Sequence, residues 1–232
     1  MVIVFDTETT GLIDPEVVQA AFIGYSIQDK GIACYKEKLY GTSKPIEFGA
    51  MGLHGVTNED VYGRKKWNGA FLPIMTEYLV AHNASFDTQF FTPEQLSNIK
   101  VLCTLKLAKK LIPKHECGEY KNSTLYYYLG CYKNPIGKEY LGKTHTALSD
   151  CAMTLNVWID ELLFSLKHLN HHRIYPTVSD IYYKCDLVVY LIDLSIQRKG
   201  HSILHLPNWL CITPAQSPFY LKVHSVILHY NI

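Results

Sequence analysis

Met1-Val2-Ile3-Val4-Phe5-Asp6-Thr7-Glu8-Thr9-Thr10-Gly11 opens the chain. Val2 to Asp6 is β-branched and aromatic, as a buried strand demands, and the polar run after it ends at Gly11, a natural turn point. Asp6 and Glu8 are two residues apart, so on a strand their carboxylates share one face. A solvated pair at a strand end is the bland alternative, and it sits badly with Ile3, Val4 and Phe5 carrying that strand into a core. Two anions there repel by about 4 kcal/mol at roughly 4 Å and an effective dielectric of about 20, so something positive belongs between them. Hard divalent cations on carboxylate oxygen are the usual answer, and Mg²⁺ leaves its remaining positions to water and phosphate.

Outward from this strand, Val17 to Gln28 and Gly31 to Leu39 read as two more strands split by the hairpin signal Asp29-Lys30-Gly31, giving an antiparallel meander. Phe71 to Leu79 suits a helix, Val80-Ala81-His82 a short strand, and Phe86 a helix start after Asn83 and Ser85. Lys100 to Thr104 reads as a strand and Leu105 to Ile112 as a helix stopped by Pro113. After a short helix near Ser123 to Leu129, an amphipathic helix is predicted from about Thr146 to Leu169. The expected class is α/β, a mixed sheet with helices. Past Asn170 no period persists and no motif appears, so residues 1–169 are taken as the domain and 170–232 as a C-terminal appendage of unknown role.

Two further signals carry chemistry. Asp87 follows Ala81-His82-Asn83-Ala84-Ser85-Phe86 at a strand-to-helix junction; alone it reads as a helix-start residue favoured by the dipole. His145 precedes Asp150 by five residues, which in one helix would set them about 140° apart. His145 therefore belongs to the loop before the helix, with Thr146 as cap and Asp150 in the first turns. A histidine there can accept a proton from water. For one isolated residue, a surface histidine is the simpler reading.

Taken in order and spacing, Phe5-Asp6-Thr7-Glu8-Thr9-Thr10-Gly11, His54-Gly55-Val56-Thr57, His82-Asn83-Ala84-Ser85-Phe86-Asp87 and His145-Thr146-Ala147-Leu148-Ser149-Asp150 resemble the DEDDh class of 3′ to 5′ exonucleases, over about residues 1–165. Cys103-Thr104-Leu105-Lys106-Leu107-Ala108-Lys109-Lys110-Leu111 is similar to the exonuclease-X-like branch. The resemblance implies a ribonuclease-H-like fold, a mixed five-stranded sheet flanked by helices with its first three strands antiparallel. It implies two Mg²⁺ or Mn²⁺ ions per site, with Asp6, Glu8 and Asp150 around one ion and Asp6 bridging to a second near Asp87. His145 takes the general-base position, and hydrolysis releases 5′-mononucleotides. DNA 3′ ends, single-stranded or frayed, are the implied substrate. RNA ends, as in ribonuclease T relatives, are the second reading, since telling the two apart depends on how the pocket meets the 2′-hydroxyl. A third reading keeps the fold as a non-catalytic polymerase accessory, and the intact acids and His145 speak against it.

The same resemblance assigns the terminal nucleotide to Thr9, Gly11, His54 and Asn83. Gly11 permits close backbone approach. Leu12 and Ile13 are adjacent apolar residues that either press on the last base and favour frayed ends or simply pack in the loop. Lys106, Lys109 and Lys110 recur at helical spacing as one basic ridge for phosphates, and Arg64, Lys65 and Lys66 form a second cluster; most charge runs are only solvated faces. His168, His171 and His172 complete no zinc pattern, Tyr126-Tyr127-Tyr128 reads as a buried aromatic cluster, and Cys103 and Cys151 lack basic partners for a nucleophilic thiol.

Composition sets the outer limits. At 232 residues, 48% hydrophobic and 19% charged, the chain can bury a core without staples. Its 22 Lys and Arg against 21 Asp and Glu leave +1, too little to coat nucleic acid or a membrane by bulk charge, so any nucleic-acid contact must be patchy. Seven cysteines, an odd number with no CxxC, predict reduced thiols and a cytoplasmic setting. The apolar opening is too short for a signal peptide, no membrane span is expected, the triplets at Asn83 and Asn122 are chance glycosylation matches, and protein partners are not legible.

Overall fold

The computed structural model describes residues 1–169 apart from 30, 70, 143 and 144, and of 162–169 the backbone alone. The expected appendage at 170–232, with His171 and His172, is outside the described residues, as is the side chain of His168. Met1–Glu161 form one compact unit.

Five strands, β1 (Val2–Thr9), β2 (Val17–Ser26), β3 (Gly31–Leu39), β4 (Tyr78–Ala81) and β5 (Lys100–Cys103), make one sheet in the order β3-β2-β1-β4-β5. The first three pair antiparallel, while β4 joins β1 and β5 joins β4 in parallel. This is the mixed, ribonuclease-H-like sheet the sequence led us to expect. Burial explains the order. β1 and β2 are covered along nearly their whole length, whereas β3 is largely exposed, and its Lys and Glu residues blunt an open edge.

The helices are α1 (Phe48–His54), α2 (Asn58–Val61), α3 (Ala84–Thr88), α4 (Pro93–Leu96), α5 (Thr104–Leu111), α6 (Lys114–Cys117), α7 (Asn122–Tyr128) and α8 (Ala147–Leu169). One face of the sheet carries an aromatic core in which Phe5 meets Phe91 edge-on at 5.1 Å and Phe22 meets Phe71 at 5.4 Å. Such pairs add about 0.5–1.5 kcal/mol each beyond area burial. On the other side α8 turns Ala147, Cys151, Leu155 and Trp158 inward, all at or near zero exposure. The small Ala147 and Cys151 let the helix approach β2. The Cys151 thiol donates to the Ala21 carbonyl at 3.3 Å, and the Ala147 amide donates to Gln19 Oε1 at 3.1 Å.

Two expectations need correction. Phe71 to Leu79 is not a helix: Phe71 to Glu77 is turn and irregular backbone, and β4 begins at Tyr78. Pro73 supplies no amide, its carbonyl is taken by the Thr76 amide and hydroxyl, and the Met1 carbonyl captures the amides of Glu77 and Tyr78 to register β4 on β1. Tertiary pairing outweighs a local apolar period, and Ile74 and Met75 are left exposed. Nor are the three tyrosines one buried cluster. On α7 Tyr126 is buried, while Tyr127 faces outward at 65% exposure beside Tyr132.

Candidate active site

The carboxylates assemble at the end of β1. Strand alternation sends Asp6 and Glu8 to the α8 side of the sheet, and Asp150 in the first turn of α8 meets them, so that one oxygen from each lies within 4.8 Å of the other two. Thr7 between them points to the opposite face, and its amide and hydroxyl donate to Asp87 Oδ1 at 3.0 and 2.8 Å. Asp87 is buried on α3 and outside that trio, yet close enough to disfavour ionisation of Asp6 and Glu8.

The electrostatics record this crowding. Burial first, then Asp87, Asp150 and Glu8, hold Asp6 well above the usual carboxylate range. Glu8 is pushed up to about 8 by burial and by Asp150 and Asp87. Asp87 rises to about 7 through burial, opposed by its hydrogen bonds from Thr7, and burial raises Asp150 against the pull of His145. Four acids that resist ionising together are a donor set awaiting positive charge. The residues fit a hard divalent cation: converging oxygens, no sulfur donor in the trio, and an open side.

That side is a cavity of about 570 Å³ bordered by Asp6, Asp150, His145, His82, Lys109 and Asn122. His145 stands at its mouth in the loop before α8, half exposed, with Nδ1 3.9 Å from Asp150 Oδ2 and a left-handed φ of 62° that non-glycine residues seldom adopt. The cap expected at Thr146 is present: its hydroxyl accepts from the Ser149 amide at 3.3 Å.

The other expected site residues fall into three groups. Thr9 and His54 are buried supports. Thr9 Oγ1 donates to the Gly11 carbonyl at 2.9 Å, while His54 Nε2 meets the Thr9 carbonyl at 3.2 Å and its Nδ1 accepts from the Val56 amide. Burial lowers the His54 pKa, so a neutral ring locks the turn after β1. Gly11, at φ 155°, lies so close to the Glu47 carboxylate that a Cβ would collide with it. Asn83, exposed and left-handed at φ 65°, leads into α3, and Leu12 and Ile13 are each 82% exposed beyond Gly11. Lys106, Lys109 and Lys110 are exposed on α5, and Lys109 borders the cavity.

Sequence reasoning missed the residues that brace this arrangement. Asn122 Nδ2 donates to the Asp150 carbonyl at 3.3 Å and to Thr154 Oγ1 at 2.8 Å. His82 joins the end of β4 to Thr104 Oγ1 at 2.8 Å and to the Tyr120 carbonyl at 2.9 Å, and burial lowers its pKa. Gln19 spans from Ala147 to Glu37. Only His82, inside a quoted motif, carried a signal; the partners of Asn122 and Gln19 are distant in sequence.

Comparison with known proteins agrees with this geometry. The family model described as Exonuclease matches residues 3–158. Exodeoxyribonuclease 10 of Escherichia coli K12 is 33% identical over 163 residues, 69% of this chain and 68% of that protein. Uncharacterized exonuclease CP81 of Escherichia phage 186 is 30% identical over 177 residues, 69% of this chain and 87% of that protein. A solved structure of exonuclease X in complex with 5′ overhanging duplex DNA aligns at TM-score 0.56 and 30% identity, over 71% of this chain and 93% of that one. Among the described residues no helix is long and apolar enough to cross a membrane. The matched model and the acidic end of β1 describe one thing: this chain belongs to the DEDDh, DnaQ-like exonuclease family of nucleic-acid hydrolases.

Proposed function

We propose that the chain is a divalent-cation-dependent 3′ to 5′ exodeoxyribonuclease that trims DNA ends and releases 5′-mononucleotides in repair or end processing. The observation that carries this reading is the convergence of Asp6, Glu8 and Asp150 within 4.8 Å beside a cavity that His145 overlooks. The similar exonuclease X structure holds 5′ overhanging duplex DNA, which supports a DNA end as the substrate here.

Asp6, Glu8 and Asp150 would hold one cation, and Asp6 with Asp87 a second. Bound there, Mg²⁺ or Mn²⁺ would lower the pKa of a water and stabilise the leaving 3′ oxygen. His145 accepts the proton of the attacking water at a ring nitrogen, and its Nδ1 lies 3.9 Å from Asp150 Oδ2, on the cavity side of α8. Thr7 fixes the Asp87 carboxylate through two hydrogen bonds, so that acid keeps its aim without a rotamer search. Asn83, Gly11 and the turn held by Thr9 and His54 cradle the terminal nucleotide. Leu12 and Ile13 press on the last base and favour frayed ends, and Lys109 with its neighbours Lys106 and Lys110 meets phosphates.

The test is incubation of the protein, and of Asp6→Ala, with end-labelled single- and double-stranded DNA and RNA in Mg²⁺ or Mn²⁺. Stepwise shortening from the 3′ end of DNA by the native protein alone is expected. Shortening from the 5′ end, activity confined to RNA, or equal activity in the variant would overturn it.

A further inference from the structure

The near-neutral net charge requires nucleic-acid contact to be patchy, and a patch apart from the acids and from α5 is present on the outer face of β3. Lys36 and Lys38 alternate onto one side of this edge strand, while Glu37 between them points to the other and accepts from Gln19 Nε2 at 3.1 Å. The two lysines lie across aromatic rings, Lys36 Nζ 4.5 Å from the Phe71 centroid and Lys38 Nζ 5.3 Å from that of Tyr40. Those rings hold the alkyl stems and set the ammonium groups in place. The backbone of Lys65 and Lys66 runs against Gly41, just past the end of β3: the Lys65 carbonyl accepts from the Gly41 amide at 3.0 Å, Lys66 bridges to Gly41, and Trp67 packs on Tyr40, the ring under Lys38, at 5.1 Å. All four lysines are exposed, and among the described residues none has a carboxylate within ion-pair distance. Glu16 feels Lys66 only at longer range, and its oxygens are taken by Ser43.

Two lysines held on a fixed aromatic floor, with two more exposed on the neighbouring segment and no ion pair to any of the four among the described residues, make a surface suited to a polyanion. Its position names which one. Register puts Thr7, Ala20 and Lys38 in one row across β1, β2 and β3, so Lys38 lies two strand spacings, about 9.5 Å, from the residue that holds Asp87. Lys36 and Lys38 are about 6.6 Å apart along the strand, close to two steps of the roughly 3.4 Å rise per nucleotide in a DNA strand. We propose that Lys36, Lys38, Lys65 and Lys66 form a second, sequence-independent contact surface for backbone phosphates of the DNA behind the end being trimmed. The surface makes affinity grow with substrate length while leaving the chemistry of one cleavage untouched. This inference rests on the DNA-end reading of the acidic site.

The test replaces all four lysines by Gln and, in parallel, all four by Arg. Binding of a 20-base-pair duplex is measured in EDTA against salt, and hydrolysis of the p-nitrophenyl ester of thymidine 5′-monophosphate is measured in Mn²⁺. Each neutralised phosphate contributes about 0.9 to the slope of log affinity on log salt, so the Gln variant is expected to lose up to about 3.6 from the native slope. The Arg variant should keep the native slope, and ester hydrolysis should be equal in all three proteins. A native slope in the Gln variant, or parallel loss of ester hydrolysis, overturns the proposal. Unchanged DNA binding with lost binding of polyglutamate also overturns it, in favour of an acidic protein partner. Were the native protein inert on ester and DNA alike, the nuclease reading would fall while the slopes still decided the patch.

Discussion

Two regions of this molecule bury carboxyl groups, and they do so to opposite ends. At the end of β1, Asp6, Glu8 and Asp150 converge beside an open cavity with Asp87 close behind. In α8, Glu161 is fully buried with neither carboxylate oxygen hydrogen-bonded among the described residues, and burial first, then Cys103, pushes it up to about 9. A raised pKa is common to both, so it does not mark a site. What separates them is company: the first group has several oxygens on one point, an opening for water and phosphate, and a histidine at the rim, whereas Glu161 has none of these. Both regions cost folding free energy, and only at the first does the geometry offer a return in chemistry.

The largest expected effect breaks the first group. Asp6→Asn keeps the shape and removes the charge shared by both proposed cation positions, and several kcal/mol of transition-state stabilisation are at stake there. Exonuclease rate in Mg²⁺ should fall by about 10³-fold or more. In chelator the same variant should unfold at higher temperature than the native chain, since repulsion from Asp87, Asp150 and Glu8 is relieved. A variant that loses activity together with stability would contradict the account of a crowded, cation-seeking cluster.

His145→Ala comes next. Loss of a positioned base should lower the rate by about 10²-fold or more, with the deficit shrinking at high pH, where solvent hydroxide competes as base. Mg²⁺-induced stabilisation should persist in this variant, because no carboxylate is touched. Equal loss of both would make His145 a structural element of the loop.

Cation binding and pH sharpen the comparison further. Glu8 at about 8 and Asp87 at about 7 keep protons in the folded chain that the unfolded chain sheds above its ordinary carboxylate pKa. Their contribution to stability is complete below that ordinary value and is lost as pH rises through about 7 to 8. Chelated protein should therefore weaken across that interval. Mg²⁺ or Mn²⁺ should restore it, by about 2.7 kcal/mol at a concentration one hundred times its Kd, and the gain in melting temperature should be larger at pH 8 than at pH 6. A gain that shrinks with pH would remove the carboxylates as ligands.

Much of this was legible in residue patterns, for identifiable reasons. The antiparallel meander showed itself because the signal between β2 and β3 is local in sequence, and the position of His145 before α8 followed from helical angle alone. The acids of β1 were readable because strand alternation is a fixed rule. The stretch from Phe71 to Leu79 was not, since the amides of Glu77 and Tyr78 are claimed by the carbonyl of Met1, the residue just before another strand. The roles of Asn122 and Gln19 were equally hidden: each depends on a partner 28 or 128 residues away that no period encodes. The proposed phosphate surface joins Lys36 and Lys38 to Lys65 and Lys66 only through the Gly41 bridge, so the triplet at Arg64 to Lys66 looked like an ordinary solvated run.

The smallest effect tests the second region. Glu161→Met replaces a buried carboxyl with no hydrogen bond among the described residues by an apolar chain of similar length, and an unsatisfied buried polar group costs about 1–3 kcal/mol. The variant should be more stable than the native chain by that order at neutral pH, read from the denaturation midpoint at constant m. Because Glu161 holds its proton up to about 9 in the fold, native stability declines as pH climbs from the ordinary glutamate range to that value, and the advantage of the Met variant should widen over the same interval. Exonuclease rate should not change. A loss of activity approaching that of Asp6→Asn would mean that this acid serves the reaction after all, and that burial without partners is no guide to which carboxylates matter.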